Sequence, residues 1–276
     1  MSHQKAAYQL LTESYTPESI MRHSTLRNIL MWYLHFDLYV GMLSGAPQII
    51  ARDWLLAQHK YYIEKLETSP GSIDCLQGEA SARSKLISYD IFSLFSKANS
   101  GELSDADVAE QLAYYSDILE NFESDLPAAM VNPNCLVTDF TGAPPRDPED
   151  IFDAYEPGLI YGGECFPTNQ LILNFLGLRI IYETRVATML KRNPRADFIK
   201  HTVMRIGKMI NAIHYWPGAH KGSILTFRAN VSLVAFLLPP GQRQKNWAKK
   251  KFAAIEAEGY VDLLSFCGSC PLETHC

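Results

Sequence analysis

An all-α fold, a layered array of about nine to eleven helices with a long irregular central connection, follows from three features of the sequence. Apolar residues recur at helical spacing over most of the chain, strictly alternating segments are scarce, and helix caps and breakers fall between the periodic stretches. Thr16-Pro17-Glu18-Ser19 offers a cap with proline at the first helical position. From Ile20 through Leu26, Leu30, Leu34 and Leu38 the apolar spacing predicts one helix reaching Gly41 or Gly45. Arg52 to Leu66 reads as a second helix, closed by Ser69-Pro70-Gly71. A third is marked by Leu86, Ile87, Ile91, Leu94 and Phe95 and stops near Ser100-Gly101. Ser104-Asp105-Ala106-Asp107 opens a fourth that runs to about Ser124.

The pattern breaks over residues 127–167, which hold seven prolines and four glycines. This is a long irregular connection within one domain of residues 1–276, with one short helix expected at Asp147-Pro148-Glu149. Helices resume at Thr168 with a wide apolar stripe that ends before Asn193-Pro194, and another spans about Ala196 to Tyr215. Ser223 to Leu238 is nearly all apolar and reads as a central, buried helix, ended by Pro239-Pro240-Gly241. A basic helix from Gln242 to Glu258 follows.

Composition bounds the function. At 276 residues, 47% hydrophobic and 20% charged, the chain is globular rather than disordered. No run is long enough to cross a bilayer, no secretory signal is visible, and scattered cysteines at 75, 135 and 165 suit reduced thiols in nucleus or cytoplasm. Residues 1–190 carry 12 Lys and Arg against 25 Asp and Glu, whereas residues 191–276 carry 13 against 5. Two packed parts with cancelling fields are the plainer explanation; an acidic partner for the C-terminal third is the sharper one.

Four clusters are candidates for chemistry. Cys267 and Cys270, with His275 and Cys276, have metal-ligand spacing, but they fall in the last ten residues and are expected to bind no metal. His214-Tyr215-Trp216, with His220 and Arg228, gathers polar and aromatic groups near a helix end. His214 could serve as a general base, or the group could simply pack that end. Asp37 and Asp53 could pair as acids in a pocket, while a helix-to-helix bridge to Arg52 is the simpler arrangement. Lys245 and Lys249-Lys250-Lys251 form either a phosphate-contacting patch or a solvated helix face. No phosphate-binding loop, dinucleotide fingerprint, zinc-protease helix or nucleophile elbow occurs, so no cofactor is expected and the catalytic residues, if any, stay unknown.

Trp32-Tyr-Leu-His-Phe36-Asp37-Leu-Tyr-Val-Gly41-Met-Leu-Ser-Gly45, followed by Ala51-Arg52-Asp53-Trp54, resembles the fungal-specific transcription factor domain. Leu178-Arg-Ile-Ile-Tyr182 and Leu190-Lys-Arg are similar in character to that domain's middle helices. The resemblance spans roughly residues 20–240. It implies an all-α regulatory region of the kind that normally follows a binuclear zinc-cluster DNA reader, with no shared catalytic residues. The cluster itself needs six closely spaced cysteines among basic residues. Here the first cysteine is Cys75, and residues 1–30 hold only Lys5, Arg22 and Arg27 as strong cations. The expectation is therefore a regulator, in nucleus or cytoplasm, that does not read DNA sequence itself. It would control a gene set, such as a secondary-metabolite cluster, through protein partners or a small-molecule ligand. The alternative is an enzyme or accessory protein of a fungal biosynthetic pathway on the same scaffold.

Overall fold

The computed structural model describes residues 3–44 and 48–258. Among the described residues there are ten α-helices, and the only β-pairing is an isolated antiparallel bridge between Leu136 and Tyr161. The protein is all-α. No helix of these residues is long and apolar enough to cross a membrane. The chain folds as two compact units, one built from Met1–Cys135 with Gly163–Ile199, the other from Leu136–Gly162 with Lys200–Cys276.

The first unit holds α1 (His3–Ser14), α2 (Pro17–Met21), α3 (Ser24–Ser44), α4 (Arg52–Thr68), α5 (Ile73–Ser100), α6 (Asp105–Asn121) and α7 (Thr168–Met189). The Thr16 cap works as read: its side chain accepts from the Ser19 amide while the Ser19 hydroxyl accepts from the Thr16 amide. The single helix expected beyond it is broken at Arg22-His23, and Arg27 reaches back across the break to the Met21 carbonyl at 2.8 Å. α5 begins thirteen residues before Leu86, capped by Ser72, and ends on Gly101 in the left-handed region at φ 75°. α4 and α5 lie close enough that the Tyr62 ring occupies the space a Cβ at Gly78 would need. Ile20, Leu30, Leu34, Ile50, Trp54 and Leu86 form one core cluster, and Phe122 stacks on Phe175 of α7 further along.

A buried carboxylate organises the α3–α4 connection. Asp37, fully buried, accepts from the amides of Ile49 and Ile50 at 3.1 Å each and from the Gln4 side chain of α1. Those amides belong to the end of the connection, where no helical carbonyl is in reach, so the side chain replaces the missing acceptor. Asp37→Ala should cost about 2 kcal/mol by leaving them unpaired, and Asp37→Asn, which keeps one acceptor oxygen, should cost less. Denaturant midpoints of the three proteins check this; equal midpoints for Asp37→Ala and the parent refute it.

At the end of α7 a second buried acid, Glu183, receives Arg192 at 2.8 Å, the Arg195 amide at 2.8 Å and the Arg195 guanidinium at 3.0 Å. Burial pushes its carboxyl up, and these donors outweigh burial and hold it at about 2. The acid thus fixes the turn at Asn193-Pro194 that the sequence marks.

The second unit contains α8 (Ala196–Tyr215) from Lys200 onward, α9 (Arg228–Leu237) and α10 (Gln242–Ala257). Two expectations need correction here. The short helix at Asp147 does not form: the Asp147 side chain accepts from the Glu149 amide at 2.8 Å, two residues on, which closes a turn in place of a helical cap. The apolar stretch from Ser223 to Leu238 is not one central helix. It is a 3-10 turn, Ser223–Phe227, followed by α9, with Val231 and Val234 buried while Phe236 is 84% exposed.

Candidate functional site

The site is built on the C-terminal turn of α8, the inner face of α10 and the irregular segment 146–156, all within the second unit. α8 is strongly one-sided, burying Val203, Ile206, Met209, Ile210 and Ile213. On the same helix Gly207 leaves its Cβ position to the Phe152 ring, which would lie 2.2 Å from any added carbon. Phe152 in turn meets the Trp247 ring edge-on at 5.0 Å. Asn211 ties these parts together, donating to the Phe152 carbonyl at 3.1 Å and accepting from the Trp247 indole N–H at 2.9 Å. A fully buried amide satisfied on both sides sets the register between helix and segment.

Beyond this frame lies a cluster of ionisable groups. Lys251 of α10 is fully buried, with Nζ 2.8 Å from His214 Nδ1 and 4.2 Å above the Tyr215 ring centre. Burial, and then the positive Lys250 beside it, bring the Lys251 ammonium down to about 7, against a pull upward from Asp150. Burial, helped by the Lys251 charge, also lowers His214 to about 4. His214 is therefore a neutral imidazole near neutral pH, and its Nδ1 accepts from the ammonium. The Tyr215 phenol is pushed up by burial first and by Asp150 second, so it stays protonated.

Asp150 connects this cluster to a cavity of about 260 Å³ lined by residues 146–148 and 150–155, with Asp147, Asp150, Tyr155 and Phe152 among them. Asp147 is engaged by Lys250 and Asp153 by Arg146. Asp150 Oδ1 is buried and has no hydrogen-bond partner among the described residues. The cavity wall carries the carboxylates of Asp147, Asp150 and Asp153 beside the rings of Phe152 and Tyr155.

The structure thus joins two sequence clusters that looked separate. His214 and Tyr215 come together with Lys251, from a run that reads as solvated or phosphate-facing; Lys251 is buried, Lys250 is paired with Asp147, and Lys249 is exposed and has no ion pair among the described residues. His220 is exposed in the turn before Ser223, and Arg228 opens α9. Trp216 packs over Gly162 and Gly218. Asp37, Arg52 and Asp53 do not form an acid pair or bridge one another. Arg52 instead makes a two-pronged pair with Asp90 of α5 at 2.7 and 2.8 Å, and Asp53 Oδ1 accepts from the Trp54 amide. Cys267, Cys270, His275 and Cys276 lie outside the described residues, and among the described residues no group of three His, Cys, Asp or Glu could hold a metal ion. Sequence reasoning missed Asp150 and Asn211, and it named Lys251 only as one of a basic run. The available signal for Lys251 was its position four after Trp247, on the apolar side of an otherwise basic helix.

No family model matches the chain, and no curated protein or solved structure matches it either.

Proposed function

We propose that this chain is a helical regulatory domain of the fungal transcription factor type, acting through protein partners or a small-molecule ligand rather than through DNA contacts of its own. The observation that carries the reading is the structural use of the block on which the resemblance rests. Asp37 gathers the Ile49 and Ile50 amides while Trp54 enters the core beside Ile50, so these residues hold α3 and α4 together. A small-molecule ligand would, in this reading, sit in the cavity beside Asp150. In this reading the protein works in the nucleus and governs a gene set such as a secondary-metabolite cluster.

One observation favours a second reading, an enzyme or accessory protein of a biosynthetic pathway. An amine held near 7 beside a neutral imidazole is the state a general base or carbonyl-trapping lysine needs. Against it, Lys251 is fully buried and does not line the cavity. Deleting the gene and profiling transcripts and metabolites together separates the two. Loss of transcripts from a defined gene set is the expected result. Intact transcripts with an accumulated pathway intermediate overturn the regulatory reading and favour the enzyme.

A further inference from the structure

Cys135 and Cys165 stand at the two ends of the segment 136–162, each closing a 3-10 turn: Pro133–Cys135 and Gly163–Cys165. The chain leaves the first unit after Cys135 and re-enters it at Gly163, so both thiols belong to that unit. The two turns pack against each other, with Cα atoms approaching within 8 Å. Cys165 is fully buried, its Sγ donates to the Ala129 carbonyl at 3.3 Å, and the Cys135 thiol is its side-chain neighbour. Cys135 is only half-buried, and both are free thiols. Two cysteines thirty residues apart in sequence, on turns that pack together and with their thiols in side-chain contact, have the proximity from which a disulfide forms.

We propose that Cys135 and Cys165 form an oxidisable dithiol, a modification site that a peroxide closes to a disulfide. Cys135 is the thiol that a dissolved oxidant reaches first. Its sulfur attacks one peroxide oxygen, the O–O bond breaks, and the departing oxygen leaves as water, giving a Cys135 sulfenic acid. The Cys165 sulfur then attacks the Cys135 sulfur, the S–O bond breaks, and the hydroxide leaves with the Cys165 proton as a second water. Two thiols lose two electrons in all, and one hydrogen peroxide becomes two waters.

Burial, and then the neighbouring Cys135 thiol, hold Cys165 up at about 11. Cys165 therefore stays protonated and inert until a sulfenic acid forms beside it, which makes it the resolving partner rather than the sensor. The disulfide would tether both ends of the segment that carries Asp147, Asp150 and Tyr155.

The test uses the full chain and hydrogen peroxide. After oxidation, remaining thiols are blocked with a maleimide and the protein is digested with trypsin without reduction. The expected product is one cross-linked species joining the peptides that carry Cys135 and Cys165, lighter by two hydrogens than their sum and separated by reductant. Recovery of both cysteines as maleimide adducts, or of either linked instead to Cys75 or to a C-terminal cysteine, overturns the proposal. In Cys165→Ala the Cys135 sulfenic acid should persist and be trapped by dimedone, at least tenfold above the parent. Dimedone labelling no higher than in the parent overturns the assigned order of reaction. The parent digest decides the pairing even where that variant folds poorly.

Discussion

Trp247→Ala lowers the stability of the second unit by roughly 4–7 kcal/mol. Emptying the space of a fully buried Trp costs on the order of 3–5 kcal/mol, because the surrounding side chains close only part of the cavity. The lost indole N–H leaves Asn211 Oδ1 buried without a donor, which adds about 1–2 kcal/mol. Trp247→Phe separates the contributions, since it keeps most of the ring contact with Phe152 and loses only the donor. Amide hydrogen exchange in α8 and α10 reads both. An Ala variant whose amides there stay as protected as the parent's would show that Trp247 does not hold these helices together.

The second large effect is a pH dependence carried by Lys251. The folded protein sheds the Lys251 proton near 7, whereas the unfolded chain keeps it to the ordinary value of 10.5. Between those limits the unfolded state binds more protons, so stability rises with pH across that window and the penalty is fully present below it. The slope for one such group is about 1.4 kcal/mol per pH unit. Lys251→Met keeps the length of the side chain and removes the charge, so it should be more stable than the parent at pH 6. Its advantage should shrink by about 2–3 kcal/mol between pH 7 and pH 9 as the parent gains stability. Urea midpoints across this range provide the measurement. A gap between variant and parent that does not change with pH would mean that Lys251 stays charged in the folded protein, held there by Asp150.

The fold was legible where local chemistry decides it. Ser104 and Thr16 cap helices because a short side-chain oxygen satisfies amides that no helical carbonyl can reach, and that requirement is written in the adjacent residues. Gly101 ends α5 for an equally local reason. The break at Arg22-His23 was not legible, since the apolar spacing continues through it and the arginine that stabilises it acts on a carbonyl six residues back. The candidate site depends still more on distant chain. Lys251 and His214 lie 37 residues apart, and nothing near Lys251 distinguishes it from Lys249 and Lys250 except which side of α10 meets the core. Asp147 likewise reads as a helix start, and only its engagement by the Glu149 amide and by Lys250 shows that it serves a turn.

The first unit takes its chain from two pieces, with 27 residues assigned elsewhere between them, and this orders its assembly on the ribosome. α1 to α6 emerge before α7, yet α7 supplies Phe175 to Phe122, Tyr182 to the Leu112 carbonyl, and buried residues on nearly every side. Until residue 199 has left the exit tunnel the earlier helices have no α7 to close on. At about 5–20 residues per second, the interval between Cys135 and that point lasts several seconds. Throughout it Leu119, Phe122 and the apolar side of α5 face solvent in a nascent chain that already contains most of its unit. Such an intermediate is a natural client for a holding chaperone, and a transcript cut short within α7 would release an aggregation-prone product rather than a smaller working domain.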